Sequence, residues 1–363
     1  MEASVLTRAE FWESDAPVMM GGGPDADVPG LVFFRTSGST GTPKWIGLGR
    51  RALLVSAAAV NRHLGVTASS CWALALPVDH VGGFGVAARV FESGCRLAEF
   101  GRKWNAAEFA AWLAEAGATH LSLVPTQVHD LVSAGLRAPE RLRAIVVGGG
   151  VLADATGRAA RDLGWPVLAS YGMTETCSQV ATQGLELLNS PYHSLPIDLL
   201  PCWEARVDEG GRIMLNGEAL FSGMLIAGDG GWKYEERRSE WHVTSDSGRL
   251  EGRELFLTGR ADTQVKILGE LVDPVAVEAE LLALSSRRDF VVVPVADMRA
   301  GNRLVLVHEG DLSGLAEVLE AYHIVCPGFR RISACFPVDR IPRSPLGKPL
   351  RKELSQIAEN QAI

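Results

Sequence analysis

Between residues 71 and 171 short apolar runs alternate with amphipathic stretches of helical spacing, and this alternation restricts the fold more than any other feature. The runs "CWALALPV", "THLSLVP", "LRAIVVGGG" and "PVLASYG" have strand length, while "AAEFAAWLAEAGA", "TQVHDLVSAG" and "DATGRAARDLG" read as helices. Strands separated by helices predict an α/β fold with a largely parallel sheet. The polar segments "DHVGG", "VVGGG" and "SYGMTE" each follow a strand. In such a sheet they gather along its carboxyl edge, where ligands bind.

Upstream, "LVFF" reads as a buried strand running into "TSGSTGTPK" (36–44), and "RRALLVSAAAVNRHLG" as a helix that stops at Gly65. From about Pro201 the pattern changes to alternating residues with Gly-containing turns, as in "WEARVDEGGRIML", which predicts antiparallel strands. Beyond "GRADTQVKILGELVDP" a helix ("VAVEAELLAL"), two strands ("DFVVVPVAD", "NRLVLVHEG") and a helix ("LSGLAEVLEAYH") predict a small α+β domain. The expected division is 1–260 and 261–363, and "MMGGGPDADVPG" is the most linker-like stretch.

Of the 363 residues 47% are hydrophobic and 21% charged, which is ordinary for a soluble globular protein, and the net charge is −8. An acidic chain is not a phosphate-tracking nucleic-acid binder, although a local cationic site remains compatible with it. The six cysteines form no C-x-x-C pair, so neither a zinc site nor a disulfide framework is expected. No apolar run reaches membrane-spanning length and "MEASVLTRAEFWESD" lacks the layout of a secretory signal, so cytoplasmic location without membrane insertion is expected. The sequence leaves a homo-oligomer open.

"TSGSTGTPK" offers hydroxyls, exposed N–H groups and one cation, the groups a polyphosphate requires. The same composition also makes a flexible turn. It is not a Walker loop, because Pro43 precedes Lys44 and Trp45 follows it. Its company is more specific. "TSGSTGTPK", "SYGMTET", "TSDSGRLE", "LTGRAD" and "PRSPLGKPLR" occur in this order over most of the chain. Together they resemble the adenylate-forming superfamily of acyl- and aryl-CoA ligases, luciferases and peptide-synthetase adenylation domains. "ATHLSLVPTQVHDLV" and "SYGMTETCSQVAT", with weaker support from "VVVPVADMRAGNRLVLV", are similar to its o-succinylbenzoate–CoA ligase branch, which serves menaquinone biosynthesis. The chain departs from the superfamily in reaching its phosphate loop at residue 36, which implies a shortened first domain.

The resemblance implies a two-step reaction with ATP, Mg2+ and coenzyme A: a carboxylate takes up AMP, then the thiol displaces it. It implies that Thr36, Ser37, Gly38, Ser39, Thr40, Gly41 and Lys44 hold the β- and γ-phosphates. Tyr171 and Gly172 would face adenine, Thr174 would meet the α-phosphate and Glu175 would ligate Mg2+. Asp246 and Arg260 would bind ribose, and Lys348 would bridge nucleotide and carboxylate during adenylation. Asp262 matches the hinge of a mobile C-terminal lid, and His80 a position near the acyl pocket. Gly148 and Gly149 would let backbone approach the adenylate. Gln127, Ser178, Gln179 and Thr182 are the polar positions expected to line the acid pocket, and no basic residue in those stretches is an evident partner for a second carboxylate. Each residue also has a plain structural use, and three rivals stay open: a ligase for another acid, an adenylating enzyme that loads a carrier protein, and a non-catalytic nucleotide-binding module.

Overall fold

The computed structural model describes residues 1–36, 44–228, 231–260, 263–285, 287–344 and 347–361. Contacts divide the chain into two compact units, 1–244 with 248–256 and 245–247 with 257–363.

In the first unit α1 (Ala9–Glu13) and the two-residue β1 (Val18–Met19) precede β2 (Leu31–Thr36) and β3 (Lys44–Gly49). β2 and β3 form an antiparallel hairpin, a departure from the expected order in which "LVFF" leads to a helix. The run "KWIGLG" was not read as a strand because its glycines weaken the apolar pattern. Gly47 lies opposite Phe33, whose ring occupies the place of its missing side chain. The linker-like glycines lie inside this unit, where Gly23 packs against the Trp45 ring.

After α2 (Arg50–His63) the chain alternates β4 (Cys71–Leu74), α3 (Val81–Ser93), β5 (Arg96–Glu99), α4 (Ala106–Ala116), β6 (His120–Leu123), α5 (Pro125–Ser133), β7 (Ala144–Val147), α6 (Asp154–Asp162) and β8 (Val167–Tyr171), with a short β9 (Ala181–Thr182). The sheet order is β5-β4-β6-β7-β8-β9, and all pairings are parallel except that of β9. The strands β4, β6 and β7 are buried along their whole length, as parallel strands covered on both faces must be. The helix α2 ends as expected, with Gly65 at φ +62°.

The β-rich part comprises β10 (Ile197–Asp198), β11 (Trp203–Val207), β12 (Arg212–Gly217), β13 (Gly223–Gly228), β14 (Gly231–Glu236), β15 (His242–Glu251) and β16 (Glu254–Arg260). The expected hairpin at "WEARVDEGGRIML" is β11–β12, and its turn is tied by Asp208, which accepts from the N–H groups of Gly210 and Arg212. The strands β13 and β14 extend the first hairpin into the sheet β1-β2-β3-β13-β14.

The second unit contains β17 (Val265–Ile267), β18 (Glu270–Val272), α7 (Pro274–Leu284), β19 (Phe290–Asp297), β20 (Gly301–Glu309), α8 (Leu315–Val325), β21 (Ile332–Val338) and α9 (Arg351–Gln361). In β19, Phe290 and Val292 face one core with Val277, Leu281 and Tyr322, while Val291, Val293 and Val295 face another with Leu354 and Ala358. The two-residue period of a strand thus serves a sheet covered on both sides. Among the described residues no helix is long and apolar enough to cross a membrane.

Candidate active site

The segments expected at one sheet edge do follow parallel strands of one sheet, in which β7 and β8 are neighbours and β6 lies between β4 and β7. "DHVGG" follows β4, "VVGGG" ends β7 and "SYGMTE" ends β8. His80 is the N-cap residue of α3, half-buried, and its carbonyl accepts from Phe84 N–H. Gly148 donates to the Leu123 carbonyl, and a side chain there would meet Ser170 Oγ at 3.1 Å. Gly149 has φ +79°, a conformation suited to glycine.

After β8 the chain makes a tight turn. Thr176 Oγ1 accepts from Met173 N–H and donates to the Met173 carbonyl. Thr174 and Glu175 stand half-buried on the resulting single helical turn, and Phe221 N–H donates to the Glu175 carbonyl. The neighbouring Ser222 N–H donates to Gly47 of β3, so the 221–222 segment ties the Glu175 turn to the strand that Lys44 begins. Lys44 pairs with Thr36 across the hairpin. Ser37, Gly38, Ser39, Thr40 and Gly41 lie outside the described residues. Tyr171 is buried at the end of β8. Gly172 admits no side chain, because a Cβ would collide with the Ser178 carbonyl. Cys177 and Ser178 take φ +53° and +98°, a costly backbone for non-glycine residues.

The side chain that sequence reasoning missed is Arg89. It is 2% exposed, and its guanidinium donates to Ser122 Oγ on β6 and to Gln179 Oε1, both at 3.1 Å. The Trp72 ring lies 5.0 Å from the guanidinium carbon, and the Trp72 indole N–H is held by Asn61. Among the described residues no carboxylate forms an ion pair with Arg89. Burial pushes its pKa down from the ordinary guanidinium value. Its Nε and the Gln179 amide nitrogen have no hydrogen-bond partner among the described residues. One signal was legible: Arg89 is the single charged residue of "VGGFGVAARVF".

The other expected pocket positions differ in character. Gln127 is buried and braces the protein's own backbone, accepting from Val124 N–H at 3.0 Å and donating to the Ala75 carbonyl at 3.4 Å. Thr182 is fully buried, and its hydroxyl has no hydrogen-bond partner among the described residues.

In the second unit Arg260 Nη1 lies 3.5 Å from Asp246 Oδ1. The turn holding Lys348 is closed by Ser344, whose N–H donates to the Lys348 carbonyl and whose hydroxyl accepts from Lys348 N–H. Lys348 keeps exposed surface along its length, yet its ammonium is held below the ordinary lysine pKa. Burial is the main cause and the charge of Arg260 adds to it, while Asp246 opposes both. Asp262 lies outside the described residues. Asp273 caps α7 through Val275 N–H and also accepts from Arg260 N–H and Thr263 Oγ1, the described residues on either side.

Among the described residues no cluster of three metal-ligating side chains occurs. A magnesium ion that travels with a nucleotide does not need one, since phosphate oxygens and water fill most of its shell. One half-buried carboxylate beside a hydroxyl, Glu175 with Thr174, fits that requirement.

The chain matches the family of AMP-binding enzymes over residues 14–228. The 2-succinylbenzoate–CoA ligase of Enterococcus faecalis is 29% identical to it over 286 residues, covering 73% of this chain and 56% of that one. The chain thus spans little more than half the length of that relative. The solved o-succinylbenzoate CoA synthetase of Bacillus subtilis, in complex with its acyl-adenylate intermediate, is 25% identical with a TM-score of 0.76 over 89% of this chain and 68% of that one. The same Bacillus enzyme with ATP and magnesium ion gives a TM-score of 0.75 at 25% identity, over 89% and 69%. The mixed α/β architecture expected from the motif series is therefore the one observed.

Proposed function

We propose that this chain, which belongs to the AMP-binding enzyme family, is an ATP- and Mg2+-dependent acid–CoA ligase that takes o-succinylbenzoate as its acid. The observation that carries the choice of acid is Arg89, a buried cation beside Ser178 and Gln179 with no carboxylate ion pair among the described residues. Burying a charge without a counter-ion costs several kcal/mol, on the order given by continuum arguments, unless something offsets it. A substrate with a second carboxylate offsets it and leaves the first one to react.

In the first step an oxygen of the aliphatic carboxylate attacks the α-phosphorus of ATP, the bond to the bridging oxygen breaks and pyrophosphate leaves. Thr36, Lys44 and the 37–43 segment receive the β- and γ-phosphates, and Thr174 the α-phosphate. Glu175 would hold the magnesium ion, whose charge offsets the repulsion between carboxylate and triphosphate. Tyr171 gives adenine an aromatic face, Asp246 accepts from the ribose hydroxyls with Arg260 beside it, and Lys348 supplies a cation to the charge that develops at phosphorus. In the second step the thiol sulfur of coenzyme A attacks the acyl carbonyl, its proton is lost and AMP departs. Asp262 serves as the pivot between the two steps.

The test is formation of AMP and o-succinylbenzoyl-CoA by the purified protein, run beside a panel of aryl and alkyl acids with and without coenzyme A. A simple benzoate or fatty acid turned over as well as o-succinylbenzoate would overturn the acid. Adenylate formation that coenzyme A does not carry forward would overturn the thiol.

A further inference from the structure

Two glycines of α3 differ in what demands them. A Cβ at Gly83 would run into the carbonyl oxygens of Leu76 and Pro77, so backbone packing requires glycine there. A Cβ at Gly85 would meet only side chains, with Arg89 Nη2 at 3.3 Å, Ser178 Cβ at 3.5 Å and Ser178 Oγ at 3.6 Å. Side-chain tips can shift by the few tenths of an ångström that a methyl needs. Glycine inside a helix is also less favourable than alanine. Backbone packing therefore does not demand glycine at 85 as it does at 83, although Arg89 Nη2 would have to give by a few tenths of an ångström.

Its position accounts for it better. Gly85 is buried one helical turn before Arg89, and helical side chains lean toward the N-terminus, so the guanidinium lies back over the bare turn. The point that a Cβ would occupy lies within 3.3 Å of a guanidinium nitrogen and 3.6 Å of a hydroxyl oxygen. Two more buried donors of the same group, Arg89 Nε and the Gln179 amide nitrogen, lack partners among the described residues.

We infer that Gly85 is the specificity-determining position of this pocket: its missing side chain leaves room for a substrate carboxylate between Arg89 and Ser178. The inference rests on the carboxylate reading proposed above. A side chain at 85 fills that room and shifts preference toward acids without the second carboxylate. A site built around buried donors discriminates strongly for the group that satisfies them, so the change is large.

The experiment compares G85A, R89M and the double variant G85A/S178G with the unaltered chain. The two acids are o-succinylbenzoate and 4-oxo-4-phenylbutanoate, the same molecule without its aromatic carboxylate. Pyrophosphate release gives kcat/KM for each acid, and thermal melting reports folding. G85A should keep or raise Tm and leave KM for ATP within twofold, while the preference for the dicarboxylate falls at least tenfold through KM. S178G returns space on the opposite wall and suits the positive φ at that residue, so the double variant should recover part of the preference. If R89M loses the preference and G85A keeps it within twofold, the role of Gly85 is overturned and the carboxylate reading stands. If R89M keeps the preference, the carboxylate reading falls and the inference with it. A G85A protein that does not fold would also overturn the inference, because the glycine would then serve packing.

Discussion

Arg89 in the first unit and Arg351 in the second are satisfied in opposite ways. Arg351 at the start of α9 makes two hydrogen bonds of 2.7 Å to the Glu278 carboxylate and a third of 2.8 Å to the Val292 carbonyl. Glu278 also accepts from Val292 N–H, so one ion pair joins α7, β19 and α9. Arg89 is more deeply buried and among the described residues meets a serine hydroxyl, an amide oxygen and an indole face. The first is a closed charge account between elements of the fold. For the second no ion pair is found among the described residues, and the proposed carboxylate site rests on that contrast.

A third cation extends the contrast. Lys348, with Arg260 and Asp246 around it, is proposed to act on charge that exists only in the transition state. K348A should slow adenylate formation on the order of a hundred- to a thousandfold, the usual loss when one well-placed transition-state donor is removed. Conversion of supplied acyl-adenylate and coenzyme A should change little. Equal slowing of both half-reactions would remove Lys348 from this class.

Next in size, R89M should lower kcat/KM for o-succinylbenzoate roughly a hundredfold, within the range for truncating one partner of a buried charge pair. Its Tm should hold or rise, since an uncompensated buried charge has been removed. A marked loss of Tm would make Arg89 a structural residue like Arg351 and break the comparison.

For the paired arginine the expectation reverses. E278A strands Arg351 and Val292 N–H together, and should cost about 2–3 kcal/mol, less than for a fully buried pair because the Arg351 side chain is 26% exposed. Chemical denaturation checks this, with KM for the acid unchanged. A shifted acid KM at unchanged stability would contradict the structural assignment.

The smallest effect is on pH. Because burial and Arg260 depress the Lys348 pKa below the ordinary 10.5, its ammonium is present on the acid side of that depressed value and is lost as pH rises through it. Adenylation should therefore decline at a lower pH than an ordinary lysine dictates, and K348R should move the alkaline limb upward. Stability runs the other way. The unfolded chain binds this proton more tightly between the depressed pKa and 10.5, so the contribution of Lys348 to stability rises with pH there. An alkaline limb that K348R leaves in place would assign it to another group.

Much of the fold was legible because burial leaves a period. The run "FVVVPV" sends alternate residues to two cores, and the apolar strands β4, β6, β7 and β8 read as a covered parallel sheet before any partner is known, whereas the charged, largely exposed β5 does not. The short strand "ISACFPV" is not legible because half-exposed alanine, cysteine and phenylalanine in succession blur its alternation. "LVFF" was read as a strand yet led elsewhere, since a four-residue apolar run looks the same whether it pairs parallel or antiparallel.

By itself the sequence determined the strand–helix alternation, the order of the nucleotide motifs and the loops that follow the strands, because each is written in neighbouring residues. Only the tertiary structure decided that Arg89 meets Ser122 and Gln179, which lie 33 and 90 residues away, with Gly85 leaving the space beside it. Spacing along a chain sets which side chains share a face of one element. Which faces then close on one another is set by packing between elements, and that step placed the buried Arg89 beside Gln179 with no carboxylate ion pair among the described residues.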